Sequence, residues 1–203
     1  LIMLITDYFI NIIMHTKFIL ASSSSSRYKI LKDAGFSFIK ISPETDEEKI
    51  KKKIRKNKKP SFIAKKLSYE KAKSVSLKKK YFNHTVIGCD TLIYIGDKIF
   101  DKAKNISEAK KKLTNLSGKI HNIVSGVTIF RQGKKIYQFS ETSQVKIRKL
   151  NKNKIDNYLI KTGEQILSSV GCYQVEALGP VIIEDIKGDF FNVMGLPLFK
   201  LLK

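Results

Sequence analysis

This sequence has few of the residues that hold small or metal-bound folds together. Its two cysteines, Cys89 and Cys172, lie far apart with no metal-ligand spacing. That argues against a disulfide framework and for a reducing compartment. The three histidines, His15, His84 and His121, form no zinc motif. Arginine is scarce: Arg27, Arg55, Arg131 and Arg148 are the only ones among 39 basic residues. Nucleic-acid readers lean on arginine for bidentate contacts to phosphate and base, so nucleic acid is not expected as the main ligand. No apolar run is long enough to span a bilayer. Residues 1–14 are apolar but broken by Asp7 and Asn11, with no basic segment before them and no small-residue cleavage site after. They read as an extension outside the fold, leaving 15–203 as a single domain with no membrane role and a cytoplasmic location. There are no internal repeats. The one low-complexity stretch is the serine run Ser22–Ser26.

What the chain does have is lysine. The formal charge is +21, spread over the whole sequence with dense runs at 49–59, 78–80 and 110–112. Such runs read as solvated faces, while a basic surface also attracts anionic ligands, nucleotides among them. Against this background the cluster Glu44-Thr45-Asp46-Glu47-Glu48 stands out. It suits either a helix N-terminus or a share in holding a divalent cation.

The stretch Val86–Ile95 reads as a buried strand with one carboxylate, Asp90, set into it. Asp is depleted in strands and is seldom buried without a partner. Asp90 is therefore either a cap at a strand end or a group that meets a cation, a donor or a metal. Gly88 lets another backbone or a ligand come close. Upstream, strand Phe18–Leu20 leads through the serines into a helix that carries Arg27 in its first turn and stops at Gly35. A hydroxyl-rich helix start offers N–H groups and hydroxyls to an anion. A cation there opposes the helix dipole and makes sense if it meets a phosphate. Further elements are a strand over Phe36–Ile41, helices over Lys49–Lys56 and Ser61–Leu77, and a hairpin through Gly96-Asp97 into 98–102. A helix over Ser107–Leu116 follows, then paired strands His121–Phe130 and Lys135–Ile147. A helix over Lys152–Lys161, a strand over Val181–Ile186 and a last helix from near Pro197 complete the pattern.

Taken together, several stretches resemble the Maf family of nucleotide pyrophosphatases. They include Ile19-Leu20-Ala21-Ser22-Ser23-Ser24 with Arg27, Ile41-Ser42-Pro43 with Asp46-Glu47, Lys71-Ala72, Val86-Ile87-Gly88-Cys89-Asp90-Thr91 and Lys102. Leu116-Ser117-Gly118-Lys119 with His121, Ser125-Gly126-Val127, Gly171-Cys172-Tyr173 with Glu176, and Gly188-Asp189 through Gly195-Leu196-Pro197 continue it in family order. The segment Ser168–Glu176 is most similar to the alphaproteobacterial branch. The resemblance implies an α/β fold of the inosine triphosphate pyrophosphatase type: an elongated mixed β-sheet with flanking helices and two lobes around a central cleft. It implies hydrolysis of a nucleoside triphosphate, modified or non-canonical ones included, to the monophosphate and pyrophosphate with Mg²⁺ or Mn²⁺, and a homodimer. By motif, Asp90 becomes the general base and Lys102 a catalytic cation. Ser22, Ser24 and Arg27 become phosphate contacts, and Lys71 a further triphosphate clamp. Thr91 and Glu176 fall where base selection is tuned. A metal would be held by Asp90 with a carboxylate of the acidic cluster, Glu47 first and Glu44 or Asp46 as the alternatives.

The chain departs from the family pattern in several places. Ser25 and Ser26 replace the Pro-Arg that precedes Arg27 in many members, Ala103 replaces the proline after Lys102, and Leu167-Ser168 replaces an Asp-Lys pair. The rival expectation is a catalytically weakened basic protein on the same fold that binds nucleotides or nucleic acid.

Overall fold

Phe18-Ile19-Leu20-Ala21 is apolar throughout and buried throughout, the pattern of a strand covered on both faces. This is β1 (Phe18–Ala21). It runs parallel to β2 (Phe38–Ile41) on one side and to β3 (Val86–Ile95) on the other. Parallel neighbours need crossovers. α1 (Ser25–Asp33) makes the first, and α2 (Glu47–Ile54) with α3 (Pro60–Ser76) the second. From β3 onward pairing is antiparallel. β4 (Lys98–Phe100) folds back on the far end of β3, and β5 (Ile120–Arg131), β6 (Lys134–Ile147) and β7 (Ile183–Lys187) extend the sheet. The seven-stranded mixed sheet has the order β2-β1-β3-β5-β6-β7, with β4 beside β3. α4 (Ile106–Leu116) and α5 (Lys152–Thr162) cover one end. The short helices α6 (Gly179–Ile182), α7 (Phe190–Met194) and α8 (Leu198–Leu201) close the chain. The computed structural model describes residues 17–54 and 58–203. The stretch 1–14 and the end of the helix expected over Lys49–Lys56 lie outside the described residues.

The core divides along β3. Ile87 and Cys89 pack with β1, α1 and α8, whereas Ile93 packs with α4, α5 and the Cys172-Tyr173 segment. Asp90 and Thr91 fall between the two clusters, at the seam where a cleft opens. One helix spans that seam because the sheet lets it. A Cβ on Gly88 would stand 2.4 Å from the Ser68 carbonyl oxygen, and one on Gly126 would stand 2.4 Å from that of Ala64. Ala64, Ser68 and Ala72 recur at helical spacing and form a small face on α3 that lies directly on these glycines. The close approach inferred for Gly88 is thus made by helix backbone.

Several boundaries differ from the sequence reading, each for a local reason. β2 starts at Phe38 because Gly35, at φ +81°, and Phe36, whose N–H donates to the Leu31 carbonyl, belong to the α1 cap. β7 starts at Ile183 because Gly179-Pro180 opens a helical turn. α4 is capped by Asn105 rather than Ser107: its side-chain oxygen accepts from the Glu108 N–H, and Glu108 accepts from the Lys104 N–H. The sequence reading had no place for α7, which Asp189 caps and Gly195 ends at φ +108°. Lys112, read as part of a solvated run, is buried.

Candidate active site

The loop after β1 organises the first wall of the cleft. The Ser22 hydroxyl accepts from the Ser24 N–H at 3.2 Å, and the Ser24 hydroxyl caps α1 by accepting from the Arg27 N–H at 3.3 Å. Arg27 is buried. Its guanidinium donates to the Gly195 carbonyl at 2.8 Å, to Ser22 Oγ at 3.2 Å and to Thr91 Oγ1 at 2.9 Å. Thr91 Oγ1 also donates to the Gly195 carbonyl and lies 2.8 Å from Ser125 Oγ. The Cys89 thiol donates to that same carbonyl, and burial pushes its pKa up. The left-handed end of α7 therefore delivers one carbonyl that joins β3 and α1. A first-turn cation, disfavoured by the helix dipole, is accounted for by these three acceptors.

The second wall comes from α3. The small face that seats it on Gly88 and Gly126 brings Lys71 to Asp90, at Nζ to Oδ1 2.5 Å, and both side chains are buried. Glu47, in the first turn of α2, reaches the same ammonium at 2.9 Å. Burial pushes the Lys71 pKa down, Asp90 pushes it up, Arg27 opposes and Glu47 assists; the carboxylates win and it lies above its ordinary value. For Glu47, burial raises the carboxyl pKa, but the charge and hydrogen bond of Lys71, with Lys51 and Lys102, hold it below its ordinary value.

Across the cleft, β4 ends in the loop that carries Lys102. Burial, then the cations Arg27 and Lys71, push its pKa down against the pull of Glu47 and Asp90. Lys51 of α2 pairs with Asp101 at 3.3 Å, so α2 links the two sides. The cleft holds about 770 Å³, within the range of small-molecule sites. Ser22, Ser24, Arg27, Glu47, Lys71, Asp90, Thr91 and Lys102 all line it. Glu176 does not line it; it is solvent-exposed on the segment after Tyr173. Gly195, Lys51 and Asp101 also face the cleft, as do Ser168 and Val170. Sequence reasoning gave these no role. The Gly195-Leu196-Pro197 motif was the one available signal, for Gly195 alone.

Glu47 and Asp90 converge on a single cationic centre, the Lys71 ammonium. Among the described residues no group of three or more His, Cys, Asp or Glu is placed to hold a metal. Two hard carboxylates lining a cleft with a positive excess fit Mg²⁺ or Mn²⁺, which keep waters and bind through one or two carboxylates plus substrate phosphates. Five cations, Arg27, Lys51, Lys71, Lys102 and Lys104, line the cleft against four carboxylates, Glu47, Glu48, Asp90 and Asp101, so it is left with a small positive excess.

Comparison with known proteins bears on this arrangement. The 7-methyl-GTP pyrophosphatase of Bartonella henselae is 40% identical over 184 residues, covering 91% of each chain. The 7-methyl-GTP pyrophosphatase of Brucella abortus is 36% identical over 190 residues, covering 93% of this chain and 94% of its own. The nucleoside triphosphate pyrophosphatase of Caulobacter vibrioides is 37% identical over 184 residues, covering 90% and 91%. A family model described as Maf-like protein matches residues 17–203, from the strand before the serine loop to the last residue and so across both walls of the cleft. The chain belongs to the Maf family.

Proposed function

We propose that this protein hydrolyses a nucleoside triphosphate to the monophosphate and pyrophosphate in the cleft between α1, α3 and the Lys102 loop. The observation that carries the reading is the buried Asp90 at the cleft floor, with Lys71 2.5 Å away and Arg27 and Lys102 facing the same space. Attack of water breaks the α–β phosphoanhydride, and negative charge builds on the departing pyrophosphate. Such reactions are accelerated mainly by fixed positive donors and by a group that readies water. Lys71, Lys102 and the serine-capped start of α1 supply the donors. Asp90 accepts the proton of the attacking water. Arg27, whose fork is largely engaged by Gly195, Ser22 and Thr91, both shapes the floor and adds charge behind the serine loop. Thr91 is held rigidly by the same contacts, next to where a substrate sits. Glu47 and Asp90 would hold a divalent cation, which when bound supplies Lewis-acid charge at the phosphate and lowers the pKa of a bound water.

The names of the Bartonella and Brucella relatives put 7-methyl-GTP first among substrates to try. The test is pyrophosphate release by the purified chain from a panel of canonical and modified triphosphates, with Mg²⁺ or Mn²⁺ and with chelator. Metal-dependent release from one class of base is the expected result. No release from any triphosphate by folded protein overturns the reading and leaves a basic binding protein in its place.

A further inference from the structure

Lys112 is a lysine that the charge pattern hides. It stands on α4 within a run of three, yet it alone of the three is turned into the protein and buried. A buried ammonium must be given acceptors. Here two backbone carbonyls of segments that line the cleft accept from it. Lys112 Nζ donates to the Asp101 carbonyl, one residue before Lys102, and to the Val170 carbonyl at 2.9 Å. Asp101, Lys102 and Ala103 line the cleft from one segment, and Ser168 and Val170 line it from a second segment that meets the first at Lys112. The two segments are far apart in sequence. The Cys172 thiol also lies in this junction, within the electric field of Lys112 and beside the Ala103 backbone.

We infer that Lys112 is a positioning residue that fixes the separation of the two cleft rims, and through it the placement of Lys102 against a bound nucleotide. This rests on the reading of the cleft as a triphosphate site, but the clamp itself does not depend on that reading. Three properties single the residue out. Its ammonium ties one segment to the other rather than either to α4 alone. It is charged, so its bonds to the carbonyls are the stronger, charge-assisted kind. It shares the buried side of α4 with Ala109, Leu113 and Leu116, so its head reaches the two carbonyls from inside the fold.

The test is Lys112→Met, which keeps the stem and removes the donors, studied by amide hydrogen exchange and by kinetics. Exchange is expected to rise about tenfold or more at residues 101–104 and 168–172 with little change in β1, β3 and β5. With the preferred triphosphate, kcat/KM is expected to fall about tenfold or more, with kcat sharing in the loss because Lys102 serves the chemistry. Lys112→Arg, which restores charged donors, is expected to recover much of both. Wild-type exchange at the two rims overturns the inference, as does a rise spread evenly over the chain, which would mark Lys112 as a general stability element. If Lys112→Met does not fold, Lys112→Gln, too short to reach both carbonyls, is read by the same exchange criteria. If the wild type releases no pyrophosphate, the functional reading fails while the exchange measurement still decides the clamp.

Discussion

At Lys71 one ammonium is shared by two carboxylates, Asp90 at 2.5 Å and Glu47 at 2.9 Å. Removing one partner therefore does not leave the other members of the site uncompensated. In Asp90→Asn the buried ammonium keeps Glu47, so the severe cost of an orphaned buried charge is avoided. The variant is expected to fold with a melting temperature close to wild type and to lose about a thousandfold or more in pyrophosphate release, the scale of a lost general base compounded by a lost ligand. Turnover near wild type in the folded variant would remove Asp90 from its role. This residue was legible in the sequence because aspartate is so unusual inside a buried strand. Lys71 and Lys102 emerged only through the motifs that surround them, since in a chain this rich in lysine one more carries no local signal. Lys112 was hidden by the same background. Glu176 was placed by motif; its side chain is exposed and does not line the cleft, which nothing in the local residue pattern reports.

Among the elements, α3 is the one whose seat decides the chemistry. Its small face rests on Gly88 of β3 and Gly126 of the paired β5, and with the helix so seated Lys71 lies 2.5 Å from Asp90. In Gly88→Ala the new methyl meets helix backbone at 2.4 Å from the Ser68 oxygen and 2.6 Å from the Ala72 nitrogen. Neither atom can rotate away, so the helix must lift. The expected cost is about 2–3 kcal/mol of stability, as for overpacking elsewhere, with a fall in activity larger than the stability loss explains, because Lys71 moves with the helix. Unchanged denaturant midpoint and activity would show that α3 does not sit where described.

The other cluster has its own titratable point. His121 on β5 is buried with its Nε2 2.6 Å from the Tyr173 hydroxyl, and burial depresses its pKa from 6.5 to about 4. The folded state then binds fewer protons than the unfolded state between those values. Stability falls as pH drops from 6.5 towards 4, by about 3 kcal/mol in full. His121→Gln is expected to flatten the urea midpoint over this window; an equal slope in the variant would assign the loss to other groups. The strands and helices that carry these sites were readable from apolar runs and glycine stops. The short α6 and α7 were not, because each is set by a proline or by an aspartate cap within a few residues, too short a span for periodicity to show.

For the whole molecule, the net charge of +21 and the cationic cleft act on the same substrate at different ranges. The surface lysines are solvated and distant, so their attraction for a triphosphate is a matter of long-range steering, which salt screens. The contacts inside the cleft are partly buried and are screened far less. Among the described residues no helix is long and apolar enough to cross a membrane. If the charge serves capture of the nucleotide, kcat/KM falls severalfold between about 20 and about 200 mM salt, as the Debye length shrinks from about 20 Å to about 7 Å. Over the same range kcat stays within about twofold, because chemistry draws on Lys71 and Lys102 rather than on the surface. Initial rates at low and saturating triphosphate, at constant free divalent metal, separate the two constants. A flat kcat/KM would mean that the lysine excess contributes nothing to capture and that the few cations lining the cleft suffice. A kcat that falls in step with kcat/KM would mean instead that salt reaches the Lys71–Asp90 pair, and that the cleft is more open in solution than its buried floor implies.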